Sequence, residues 1–267
     1  MRVVSKFLKY LRLVFFMAPR GLKQMLKQTA TCKLVGRGHR TRFQTPSGIC
    51  LRGLTKRLGA KVFSDGTIPA AALKSSAPAG GHWRGQDGGR RRGSAVDAQV
   101  SRLAGCSAQK RSCSRMLALT RLIFAALERK GLEPIMGQRA VSSESNRIGT
   151  AADLICYNRQ SESLVVVELK CGFSGWRTCP AVFDGKACSL KGALRRANDT
   201  ILHRHMAQLA LTHHLFCIEK NTLSKLGNLG IDSVEGLLLY ANDSGVECYE
   251  LKSWWIDRAP KVLAQLH

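Results

Sequence analysis

Gly149-Thr150-Ala151-Ala152-Asp153-Leu154-Ile155-Cys156-Tyr157, then Asn158-Arg159-Gln160-Ser161-Glu162-Ser163, then Leu164-Val165-Val166-Val167-Glu168-Leu169-Lys170: the middle stretch is polar and turn-forming, and the flanks are apolar. Two such flanks around such a turn have the pattern of a β-hairpin. Facing residues of an antiparallel pair have a constant index sum. If Tyr157 faces Leu164 the sum is 321, and the same sum brings Asp153 opposite Glu168. Facing Cβ atoms stand about 4.5–5.5 Å apart. Two carboxylates would therefore meet at one end of an apolar strand pair, where repulsion and desolvation both oppose double ionisation.

A cation between them relieves that conflict. Mg²⁺ or Mn²⁺ suits such a pair, because a hard ion accepts one or two carboxylates and fills its other positions with water or phosphate oxygens. The two-residue strand period sets Lys170 on the face of Glu168.

Outward from the hairpin the pattern is helical on both sides. Upstream, Met116, Leu117, Leu119, Leu122, Ile123, Ala126 and Leu127 predict a helix over 114–130, with Ser112 or Ser114 as cap and Gly131 as stop. A further extended run covers 133–142. Downstream, a helix is expected within 190–217, carrying Leu202, Met206, Leu209 and Phe216 on one side. A closing hairpin turns at Asn242-Asp243-Ser244-Gly245. The order helix, three strands, helix, hairpin implies an α/β fold with a central mixed sheet flanked by helices.

The chain has 267 residues and a net charge of +24, from 42 Lys plus Arg against 18 Asp plus Glu. That excess exceeds what solubility needs and points to a polyanion, either nucleic acid or an anionic membrane surface. It is uneven, since no acidic residue precedes Asp65 while fifteen Lys and Arg do. The expected organisation is a basic, partly disordered N-terminal arm over 1–64, a flexible Gly/Arg-rich linker over 65–95, and a domain over 96–267. Val4, Phe7, Leu8, Leu11, Val14 and Phe15 recur at helical spacing. This basic amphipathic stretch suits an organelle transit peptide, mitochondrial first, or an arm touching nucleic acid, which would suit the nucleus as well. It is too short in apolar residues to span a bilayer.

The Gly-Arg run 88–93 lacks a Gly-Lys-Ser/Thr sequence, which argues against a nucleotide phosphate loop and for a flexible contact to a nucleic-acid backbone. Ten cysteines without a C-x-x-C pair suggest reduced structural thiols. His203, His205, His213 and His214 lack the i, i+4 spacing of a helical zinc pair and are expected at the surface or facing DNA. Trp254 and Trp255 are expected in the core.

An Asp on one strand followed on the next by Glu168-Leu169-Lys170 resembles the PD-(D/E)xK nuclease superfamily, in particular its RecB-like and lambda-exonuclease-like branches. The resemblance covers roughly Arg92 to Leu251. It implies a restriction-endonuclease-like core and metal-dependent hydrolysis of DNA, as an exonuclease or DNA-processing nuclease. It also implies roles. Asp153 and Glu168 would hold Mg²⁺ or Mn²⁺ with the backbone carbonyl of Leu169, and Lys170 would position water. Gln208 in His205-Met206-Ala207-Gln208-Leu209-Ala210-Leu211-Thr212 matches the Gln of a Gln-x-x-x-Tyr helix motif, with Thr212 where the Tyr would be. Asp97, after the Gly93 turn, stands where relatives have a metal-binding histidine, and Gln138 where relatives often have Glu. The proline of the family label is Ala152 here. No small-molecule cofactor and no transmembrane segment are expected. The alternatives are a non-catalytic nucleic-acid-binding or ribonucleoprotein component on a degenerate nuclease fold, and a membrane-surface protein held by residues 1–30.

Overall fold

The computed structural model describes residues 18–35, 42–70, 88–171 and 177–266. In chain order the elements begin with α1 (Leu22–Gln28), β1 (Lys33–Val35), β2 (Arg42–Gln44), β3 (Cys50–Gly53) and α2 (Leu54–Lys61). The middle of the chain forms α3 (Gly88–Leu103), α4 (Ala108–Ser112), α5 (Ala118–Arg129), β4 (Leu132–Ser143), β5 (Ile148–Asn158), β6 (Ser163–Cys171), β7 (Val182–Phe183) and β8 (Lys186–Ala187). There follow α6 (Ile201–Ile218), α7 (Thr222–Gly227), β9 (Val234–Asn242), β10 (Gly245–Glu250), α8 (Ser253–Ile256) and α9 (Ala259–Gln265). The fold is α/β, with a central eight-stranded mixed sheet and helices on both faces.

The hairpin register is the one the index sum requires. Tyr157 pairs with Leu164, and the ladder runs from Asn158–Ser163 to Leu154–Val167. Its turn is tied by the Asn158 carboxamide, which accepts from Gln160 N–H at 3.0 Å, and Glu162 takes a positive φ of 54°. The side chains of β6 alternate between two cores. Leu164 and Val166 join a large cluster with Leu209, Phe216 and Tyr240 under α6. Val165, Val167 and Leu169 join a second cluster with Val96 and Ile123 under α3 and α5. This alternation puts Glu168 and Lys170 on the α6 face.

A strand has two hydrogen-bonding edges. On β5, β4 pairs antiparallel over the whole length of one edge, from Ile148–Ser143 to Asn158–Leu132. The other edge is shared. β6 takes Leu154 to Asn158, and β3 pairs in parallel with Ile148 and Gly149. Between them the edge opens into a fork that begins at Asp153.

The basic N-terminal stretch read as an arm over 1–64 is instead built into this architecture from residue 18 to 35 and from 42 onward. Leu22, Leu26, Leu54, Leu58 and Val62 are all buried in the large core. The helix expected over Val4–Phe15 lies outside the described residues. The linker reading of 65–95 is corrected in part, because residues 88–95 belong to α3, while 71–87 lie outside the described residues. Val96, Val100 and Leu103 give α3 a buried stripe against the sheet, and that burial outweighs its poor glycine-rich start. Arg92, expected as a mobile phosphate contact, is 8% exposed and makes a bidentate ion pair with Asp243 of the β9–β10 turn.

The helix expected over 114–130 starts later, at Ala118. Its cap is not a serine, since Leu117 N–H donates to the Gln99 carboxamide at 2.8 Å. Gly131, with φ 69°, stops it as expected. Trp255 is buried, with Trp254 packed edge-on to it. All ten cysteines are free thiols.

Gly149 has a packing reason that its place just before Asp153 obscures. A Cβ there would lie 2.5 Å from Cβ and 2.6 Å from Cγ of Phe43, on β2. Gly149→Ala should therefore cost about 1–3 kcal/mol through overpacking, read as a fall of several degrees in melting temperature. Gly59→Ala is the control, because a Cβ at that helical position meets nothing within 4 Å. It should leave stability unchanged or raise it.

Candidate active site

The fork gathers four of the expected residues. Where the β5–β6 ladder ends, the Asp153 side chain replaces the main chain as acceptor, taking the Leu169 N–H on Oδ2 at 2.8 Å. Glu168 is 1% exposed. Its Oε1 accepts from Lys170 Nζ at 2.5 Å and from Gln208 Nε2 at 2.6 Å. Lys170 Nζ also donates to Gln208 Oε1 at 3.4 Å, so the carboxamide braces both charged groups at once. Gln208 reaches them from α6, whose first turn is capped by the Thr200 hydroxyl accepting from His203 N–H.

Glu168 Oε2 is buried and has no hydrogen-bond partner among the described residues. A buried, unpaired carboxylate oxygen is costly, and it marks where a positive group would be stabilised.

Asp97 approaches from α3, in the opposite helical layer. It is half-buried, and Cys171 Sγ lies 4.0 Å from its Oδ1. Gln138, between the β4 residues that pair with Ala152 and Leu154, has a positive φ of 48° and an exposed side chain, so it brings no group to the fork. Thr212 is buried and bonds back to the Gln208 carbonyl at 2.9 Å. It steadies that turn of α6 without reaching the site.

The electrostatics show a shortage of positive charge. Burial pushes the Asp153 carboxyl up, against Lys170 and the Leu169 N–H, which both pull it down. Burial lifts Glu168 to about 8, with the Asp153 charge adding to the rise and Lys170 opposing it. Burial and Asp153 raise Asp97 to about 7. For Lys170, burial works against the ammonium, but Glu168, Asp153 and Asp97 together outweigh it and raise its pKa. Three acids around one lysine are thus all harder to ionise than in water.

The sign of the pH effect follows. A carboxyl that titrates near 8 when folded and near about 4.3 when unfolded favours folding at low pH, and that contribution is lost as pH rises through the folded value. In EDTA the melting temperature should fall between pH 5 and 9, and Glu168→Gln should flatten the slope. Equal slopes in the two proteins would contradict the assigned burial of this carboxylate.

Among the described residues no three His, Cys, Asp or Glu side chains converge as a ready-made ligand cage. The donors present, the Asp153 carboxylate and the Glu168 carboxylate with its unpaired Oε2, are of the kind taken by a hard ion that needs few protein ligands.

The histidines expected at the surface or facing DNA are only partly so. His213 is 5% exposed, with Nε2 against the Val234 carbonyl at 2.9 Å, and His205 Nδ1 lies 2.6 Å from the Tyr240 hydroxyl. Tyr240 sits beside Lys170 in the parallel β6–β9 register. Sequence reasoning missed this tyrosine because β9 reads as a plain apolar strand. A surface hollow of about 720 Å³, lined in part by Leu22, Lys23, Lys27, Gly105 and Glu133, contains none of the site residues. Among the described residues no helix is long and apolar enough to cross a membrane. No protein-family model matches the chain, and no curated protein is significantly similar to it.

Proposed function

We propose that this protein is a divalent-cation-dependent DNA nuclease of the PD-(D/E)xK type, with a restriction-endonuclease-like core and exonuclease or DNA-processing activity. The observation that carries the reading is the fork itself. A register inferred from residue numbers alone recurs in the fold, and at its open end Lys170 and Gln208 converge on a buried Glu168 that keeps one oxygen unpaired.

Asp153, Glu168 and the Leu169 carbonyl would hold Mg²⁺ or Mn²⁺, and Asp97 is near enough in charge to tune the site. When bound, the ion offsets negative charge that develops on a phosphodiester under attack and makes water more acidic. Lys170 is favoured in its ammonium form, so it orients water and substrate and is not the proton acceptor. Gln208 fixes the spacing of Glu168 and Lys170 and acts through them. The high positive charge supports a nucleic-acid substrate.

The test is incubation of the purified protein with end-labelled single-stranded and duplex DNA in Mg²⁺, Mn²⁺ or EDTA. Metal-dependent product ladders support the reading. Binding without cutting in any metal would favour the non-catalytic alternative.

A further inference from the structure

The fork has a second wall that no nuclease motif predicts. It is formed by β3, which pairs with β5 at Arg52–Ile148 and Gly53–Gly149, and by α2, which starts at the next residue. Leu51 turns into a small core with Cys32 and Ala140, so Arg52 alternates to the opposite face. Its register partner Ile148 lies in the large core beneath α6, so Arg52 shares the face of Glu168, Lys170 and Gln208. Arg42, Arg52, Lys56 and the adjacent Arg147 are exposed, and none of them forms an ion pair among the described residues. Arg57 carries a buried Nε with no hydrogen-bond partner among the described residues. No acidic residue occurs in the chain before Asp65.

We infer that the β3–α2 unit is a fixed phosphate-binding wall that engages the DNA backbone a few nucleotides from the bond that is cut. The inference rests on the nuclease reading of the fork. The spacing comes from β5. Ile148, the register partner of Arg52, is five residues from Asp153, roughly 16 Å at about 3.3 Å per residue. Phosphates on one strand of a duplex are spaced more widely than the axial rise of about 3.4 Å per nucleotide, because the backbone winds around the axis, so that length spans only a few of them. The occupant is DNA on grounds of charge complementarity: a basic surface contributed mostly by a stretch with no acidic residue, and without ion pairs among the described residues, continues a site whose acids are short of positive partners.

The experiment compares the full chain with Arg52→Ala/Lys56→Ala. DNA binding is measured in EDTA across a salt series, and cutting in Mg²⁺ on substrates extending two to twelve nucleotides past the label. Each lost phosphate contact should reduce the slope of log affinity against log salt by about 0.9, so the double variant should lose about 1.8. Its cutting should drop on substrates that reach the wall, more than a few nucleotides past the cut, and stay unchanged on those too short to reach it. The charge-conserving Arg52→Lys/Lys56→Arg protein should keep the parental slope, which controls for folding. An unchanged slope and length profile in the alanine variant would overturn the wall, as would weakened binding to phosphatidylserine vesicles with DNA binding intact. The slope is read without metal, so an intact slope difference in a protein that never cuts would sink the nuclease reading and leave the DNA-contacting wall standing.

Discussion

Lys170→Ala should leave end-labelled DNA uncut in Mg²⁺ while it still binds DNA nearly as tightly as the parent. Removing an aligned donor of this kind costs about 10²–10³ in rate, and this ammonium is also a brace for Glu168, its partner at 2.5 Å. Asp153→Asn and Glu168→Gln should match it in cutting but differ in cause. Each removes a negative charge from the proposed ion site, so the concentration of Mg²⁺ giving half-maximal rate should rise. In Lys170→Ala the rate itself should fall. Gln208→Ala belongs between these, at about 10–100-fold, as for groups that orient metal ligands. Titrating Mg²⁺ against rate for all four proteins separates the roles. If Lys170→Ala cuts within a few-fold of the parent, the fork is not where the chemistry occurs.

How much of this was legible beforehand depended on range along the chain. The β5–β6 hairpin is local, and its register follows from a six-residue turn and alternating apolar residues. Helix α5 and the β9–β10 hairpin are readable for the same reason. Strands β1 to β3 are three or four residues long, too short to show a period, and β3 finds its partner in β5 about a hundred residues later. Helix α3 was hidden by its own composition, because Gly88, Gly89 and three arginines suggest a linker until Asp243, 151 residues from Arg92, supplies the counter-charge. The position of Gln208 came only from family resemblance. The helix that carries it is buried over much of its circumference between the sheet and the C-terminal helices, so the stripe of Leu202, Met206, Leu209 and Phe216 that marks the helix does not single out Gln208.

Glu219→Ala should be among the most destabilising single changes in the fold, at about 3–5 kcal/mol, without touching the fork. Arg139 and Glu219 are 2% and 4% exposed and pair at 2.6 Å. Arg139 also donates to the Thr29 hydroxyl at 3.2 Å and to the Ala140 carbonyl. Glu219 accepts from the Thr31 hydroxyl at 2.7 Å and from Thr31 N–H at 3.3 Å. The pair therefore binds the segment joining α1 to β1 onto β4 and the C-terminal end of α6. Removing the acid leaves a guanidinium in the interior with no counter-charge, and that penalty exceeds the worth of the bond it made. At roughly 2–4 °C per kcal/mol for a chain of this size, the melting temperature should drop by about 10 °C. Protease should also cut within the first sixty residues before the rest. Replacing both partners with apolar residues of similar volume, as in Arg139→Met/Glu219→Leu, should recover much of the loss, because the cost lies in the unpaired charge. A single variant that melts within two or three degrees of the parent would mean that water reaches this pair, and that the N-terminal basic segment hangs on the sheet more loosely than its buried leucines indicate.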